Sequence, residues 1–157
     1  MTGASDPEVF ARNVAMTLFT WDTASGHMPL DYAAVILAVG DPSGTEQAGL
    51  ASDLAGYLPS RESWIELRTY STSQTLTIAT SVVPAAWDEA LAQAQPGQLT
   101  TGATAITIDG TRHRAGIWNG VPVSEDFPVA FTVFLACPPG VESCHLLRLS
   151  QLDNPLR

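Results

Sequence analysis

Three histidines, two cysteines and one short basic run are the groups of this sequence that could do chemistry, and their spacing decides which kind. His27, His113 and His145 stand far apart, in no HxxxH, HExxH or HxH pattern, and Cys137 and Cys144 have no second cysteine pair. A structural zinc needs four ligands held close together, so neither a metal nor a cofactor is expected. There is no Gly-x-Ser-x-Gly elbow and no cysteine in a nucleophile motif. Gly40, Gly44 and Gly49 lack the lysine of a phosphate-cradling loop and read as turn glycines. No residue is therefore assigned a catalytic role. Acid–base chemistry would need only one buried Asp or His in an apolar pocket. Asp31, Tyr32, Asp53 and His113 are the polar residues near apolar stretches, and each is equally well accounted for as a cap, a surface residue or a strand partner.

The cysteines are the sharpest local feature. Cys137 and Cys144 bracket Pro-Pro-Gly-Val-Glu-Ser at the ends of two strands expected to be adjacent. A hairpin would bring them near the ~4.4–6.8 Å Cα spacing of a disulfide, and closing so short a loop would stabilise the fold by about 2–3 kcal/mol. The spacing favours this bridge over two buried thiols, and a bridge implies an oxidising compartment. Trp118, Phe127 and the intervening Asn119-Gly120 turn offer a contact patch, because aromatic residues are enriched at interface cores. The alternative is that Trp118 packs in the core. Arg112, His113 and Arg114 form the single basic cluster.

The whole chain sets limits on these groups. Its 157 residues suit one domain, large enough to fold without a metal or a disulfide. Apolar residues make up 45%, whereas charged residues make up 15%, below the ~25% usual for soluble proteins. Sixteen acids face seven bases, every base is arginine, and the net charge is -9. Duplex DNA and anionic membranes are bound through clustered cations. Single strands also need a positive groove. Three basic residues cannot outweigh the total, so direct nucleic-acid binding is not expected. The charge divides unevenly: residues 1–66 carry nine acids and two arginines (-7), residues 67–157 seven acids and five arginines (-2). The longest apolar run, residues 32–39, falls short of the ~20 residues that span a bilayer. The first residues lack the basic-then-apolar order of a signal peptide, which on its own reads as cytosolic.

The elements that must position these groups change character midway. Ser5-Asp6-Pro7-Glu8 has the form of a capping box opening a helix whose apolar face is Phe10, Val14, Leu18 and Trp21. Asp31 is expected to cap a second helix through Val35 and Val39, and Thr45 to start a third with Leu50, Leu54, Tyr57 and Leu58. After Pro59-Ser60, further turns run through Trp64, Ile65 and Leu67. From Arg68 the period becomes two. Ten of the 16 threonines lie between Thr69 and Thr111, where β-branched side chains suit pleated surfaces. The spacing predicts strands around residues 75–82, 99–108, 111–118, 129–137 and 145–152, with a short helix over 87–94. Asp109-Gly110 and Asn119-Gly120 read as hairpin turns. Helices followed by an antiparallel meander give an α+β fold: N-terminal helices packed on a curved antiparallel sheet of four to six strands.

Four stretches carry a resemblance: DPEVFARNVAMTLFTWDT, GTRHRAGIWNGVPV, PVAFTVFLACPPG and CHLLRLSQLDNPL. They resemble the soluble domains of actinobacterial conjugal-transfer proteins, which are similar to the TcpC family of Gram-positive conjugation scaffolds and share a fold like nuclear transport factor 2 and cystatin. The likeness covers residues 6–156, and its motifs are structural. It implies a single domain over residues 1–157 whose membrane anchor precedes it in a longer protein, placing it on the extracytoplasmic face of the membrane. It also implies a non-catalytic scaffold of a conjugative, type IV secretion-like apparatus, with other channel subunits or further copies of itself as partners. The alternative within that fold is a small-molecule binder or isomerase with an acid–base pair in the cone between helices and sheet.

Overall fold

The computed structural model describes residues 2–157. Asp6, one residue later than the capping-box spacing suggests, caps α1 (Pro7–Phe19). Its carboxylate accepts the Val9 N–H at 3.0 Å, and Pro7 occupies a first-turn position that needs no donor. Phe10, Val14 and Leu18 are buried together with Ala11, Ala15 and Phe19. Trp21 leaves this stripe, because the helix ends at Phe19 and Trp21 belongs to β1 (Trp21–Asp22). In α2 (Pro29–Leu37) Asp31 lies inside the first turn and accepts the Met28 N–H at 2.7 Å. The core residue of α2 is Ile36, while Val35 is half exposed and Val39 lies beyond the helix end. Leu50 and Leu54 of α3 (Gln47–Ala55) are buried as their spacing predicts. Ser60 caps α4 (Arg61–Thr69) through the Ser63 N–H at 3.1 Å, and Trp64 is its buried residue.

The second half is β2 (Ser73–Val82), α5 (Ala85–Gln93), β3 (Ala103–Trp118), β4 (Val121–Ala136) and β5 (His145–Leu149). With β1 they make one antiparallel five-stranded sheet in the order β1-β2-β3-β4-β5. The fold is thus α+β, helices on a curved antiparallel sheet. One expected turn is absent. Asp109-Gly110 lies in the middle of β3, where Gly110 pairs with Ile78 on one side and Val129 on the other. The glycine answers a different need. A Cβ there would lie 2.4 Å from the Thr77 carbonyl oxygen, and β2 is irregular between Ile78 and Thr80. A bulge against a residue without a side chain lets the two strands approach and the sheet coil. Asn119-Gly120 is the true hairpin turn, with φ of 50° and 77°, the left-handed pair that such two-residue connections require.

The sheet is covered along one face and only locally on the other. On the concave side α1 packs across β2, β3 and β4. There Phe19, Tyr57 and Phe131 meet at centroid distances of 5.9, 5.2 and 5.6 Å, and Ile106, Ile108, Val133 and Leu135 complete the core. On the convex side α5 sets Trp87 against Phe134. The C-terminal tail satisfies two buried threonines: the Thr107 hydroxyl donates to the Leu156 carbonyl at 2.7 Å, and the Leu156 N–H donates to the Thr132 hydroxyl at 2.9 Å. Arg157 then clamps Asp109 with two hydrogen bonds of 2.8 and 2.9 Å. Cys137 and Cys144 are joined in a disulfide, their Cα atoms 4.3 Å apart. The bridge closes the β4–β5 connection beside the N-terminal segment, where the Cys144 N–H donates to the Ala4 carbonyl. Among the described residues no helix is long and apolar enough to cross a membrane.

Candidate interaction site

Side chains alternate along a strand, so the concave face that starts with Ile106 and Ile108 continues outward on β3 as Arg112, Arg114, Gly116 and Trp118. Across the β3–β4 register Phe127 stands opposite Arg112, Glu125 opposite Arg114 and Val121 opposite Trp118. From β2, Leu76 and Gln74 stand beside the two arginines. The end of α4 supplies the facing wall. Tyr70 stacks on Trp118, with ring centroids 5.0 Å apart and 28° between planes, and its carbonyl accepts the Ile117 N–H at 2.7 Å. The result is an open depression of about 540 Å³ at the mouth of the sheet, lined by Leu67, Tyr70, Arg114, Trp118, Val123 and Phe127 among others. It adjoins a second hollow, of about 450 Å³, where Arg112 and Arg114 meet Tyr57, Glu66 and Tyr70.

Trp118 and Phe127 of the expected patch therefore line one surface. Asn119 and Gly120 form the hairpin tip beside it. Trp118 does not pack in the core: it is 54% exposed, with Val121 at 59% and Ile117 and Val123 at 48% each. Three of these four exposed apolar residues adjoin the turn, two before it and one after.

The two arginines have unusual surroundings for cations. Arg114 donates from Nε to the Gln74 side-chain oxygen at 2.9 Å and lies 5.2 Å from the centre of the Trp21 ring. Burial, and then the neighbouring charge of Arg112, push its pKa down. Arg112 lies 5.7 Å from the centre of the Phe127 ring, and its Nε is buried without a hydrogen-bond partner. The ion pairs among the described residues are Arg148 with Glu46 and Asp53, and Arg157–Asp109, while His27 and His113 lie beside Asp31 and Asp126; none of these carboxylates reaches Arg112 or Arg114.

The outer edge of β4 frames this mouth. β5 pairs with β4 from residue 133 onward, and the tail covers residues 130 and 132 through Asp153 and Ser150. Those contacts show that even-numbered residues of β4 turn their backbone groups outward. Along the open stretch, Pro122 and Pro128 fall on such positions and remove two outward donors, a common protection of an exposed strand edge.

The other candidate residues lie elsewhere. Asp31, in the first turn of α2, holds the N–H of the capping residue Met28, and Tyr32 accepts the Asp22 N–H at 3.2 Å and packs on Trp64. Asp53 holds Arg148 at 2.7 and 3.0 Å and also accepts the Leu149 N–H. His113 projects from the opposite face of the sheet to the two arginines. Its Nδ1 lies 2.7 Å from Asp126, and its Nε2 lies 2.8 Å from the Thr77 hydroxyl. Sequence spacing gave no sign of this row, since its three members come from three strands. Threonine, imidazole and carboxylate stand in nucleophile–base–acid order, but on an exposed sheet face outside the four principal cavities. Among the described residues, no three His, Cys, Asp or Glu side chains gather in a group able to hold a metal ion. Comparison with protein-family models, with curated proteins and with solved structures finds no match to this chain.

Proposed function

We propose that this chain is a protein-contact domain without chemistry of its own, acting on the extracytoplasmic side of the cell membrane as an assembly subunit of a conjugative DNA-transfer apparatus. The contact role rests on one observation: the β3–β4 hairpin projects Trp118, Val121 and Val123 into solvent beside an open depression, with Ile117 exposed on the reverse face of the same hairpin. Clustered apolar side chains around an exposed tryptophan have the composition of an interface centre. The disulfide supports an oxidising compartment. The apparatus itself is supported by the resemblance to conjugation scaffolds. The net charge of -9 fits contacts with protein subunits rather than with the transferred strand.

The test is to replace Trp118→Ala together with Val121→Asp in cells that carry the transfer system. A membrane-channel subunit should co-purify with the unchanged protein and be lost from the variant, and transfer frequency should fall at least tenfold. Unchanged transfer with unchanged co-purification would overturn the proposal.

A further inference from the structure

We infer that Arg112 and Arg114 form a carboxylate-binding site, filled by the acidic side chain of a partner segment that lies in the mouth of the sheet. The inference rests on the reading of that mouth as a contact face and adds the chemistry of what docks there. Two guanidinium groups on successive same-face positions of β3 repel one another. Each is partly withdrawn from water, against Trp21 and Phe127. Burying a cation without a counter-charge is unfavourable, and an orphaned donor such as Arg112 Nε adds to the cost.

The chain has 16 carboxylates with which to cancel this, and Glu66 and Glu125 line the adjoining hollows. Yet no carboxylate comes within ion-pair distance of either arginine among the described residues. A guanidinium group matches a carboxylate in charge and in hydrogen-bond geometry, so one incoming carboxylate at the outer guanidinium nitrogens would relieve the repulsion between the two arginines. Tyr57 and Tyr70 line the hollow where the two arginines meet, and Trp118 and Phe127 line the adjoining depression with Arg114, so the pair of hollows favours a carboxylate flanked by an apolar or aromatic residue. Strand addition is a poor alternative, since Pro122 and Pro128 interrupt the open edge of β4. Recognition therefore falls to side chains.

The experiment is an NMR titration of the isotope-labelled chain with N-acetyl-phenylalanine, with its primary amide, and with inorganic phosphate at matched ionic strength. The carboxylate should bind saturably and shift the Nε–H signals of Arg112 and Arg114 and the indole N–H of Trp118. The amide and phosphate should bind at least tenfold more weakly. Arg112→Gln should weaken the carboxylate at least tenfold, and Arg112→Lys, which keeps the charge and removes the fork, by a smaller factor. Equal binding of acid and amide, shifts confined to other surfaces, or an Arg112→Gln variant of unchanged affinity would overturn the inference. Co-purification of a channel subunit without carboxylate binding would sink this inference and leave the contact role standing. Saturable carboxylate binding without any channel subunit would leave a small-acid site and refute the partner segment and the contact role together.

Discussion

Trp118 presents one ring face to Tyr70 and leaves 54% of its surface to solvent. Its loss therefore separates folding from binding. Trp118→Ala should lower stability by about 1–2 kcal/mol, the worth of the surface it buries, while weakening partner binding by at least ~2 kcal/mol, as at an interface centre. Chemical denaturation and a binding titration on the same variant check both numbers. Gly110 is the complementary case, with no visible role in binding and a strict one in folding. Gly110→Ala drives a methyl group into the Thr77 carbonyl and should cost about 2–3 kcal/mol. Gly120→Ala meets no neighbouring atom and carries only the strain of a φ of 77°, about 1–2 kcal/mol. The same two glycines mark where the sequence is readable. Asn119-Gly120 is a turn because its own dihedrals demand one. Asp109-Gly110 has the same form, but there β2 sets the requirement from across the sheet, and no local pattern records it.

Among the elements, the apolar stripe of α1, the buried pair Leu50 and Leu54 in α3 and the alternation of β2 as far as Ile78 were legible because each is a local periodicity, whereas past the irregularity between Ile78 and Thr80 the inward face is lost and Val82 is exposed. The mouth was half legible. Trp118 and Phe127 stood out by type, whereas Tyr70, Gln74, Arg112 and Arg114 gather there only through strand register and the placement of α4. Two clamps hold the elements behind it. Replacing Cys137 and Cys144 by serine should lower stability by about 2–3 kcal/mol and the melting temperature by roughly 5–10 °C; reductant added to the unchanged protein should do the same. The second clamp is the Arg157 tail on Asp109, whose hydrogen bonds hold that carboxyl below the usual range. A depressed folded-state pKa gives stability that is complete above the unfolded value and lost as pH falls through the folded one. The clamp should thus weaken below about pH 4. In Asp109→Asn that part of the acid limb should disappear from the pH–stability profile.

At the scale of the whole molecule, burial of Tyr57 contributes an alkaline limb to the pH dependence of stability. Its hydroxyl donates to the Ser150 carbonyl at 2.6 Å, and desolvation raises its pKa above the ordinary value. This stability is present below about pH 10 and lost as pH rises toward the folded-state value. Tyr57→Phe should remove that limb at a cost of about 1–3 kcal/mol, read from melting temperatures across the pH range. The distribution of charge follows the architecture as well: the helical half holds the excess of acids, while β3 holds Arg112 and Arg114 in the mouth. On the proposal made above, this recessed pair of cations takes a single carboxylate of a partner rather than an extended phosphate backbone.

The central claim is that this mouth is where a partner sits. The most direct test places a photo-cross-linking amino acid at Val121, beside the mouth, and separately at Thr75, an exposed position on the opposite face of β2. In cells carrying the transfer system, cross-linking from position 121 should yield a discrete adduct with a membrane-channel subunit, suppressed by Arg112→Gln, while position 75 yields none. Equal adducts from both positions, or none from position 121, would contradict the account.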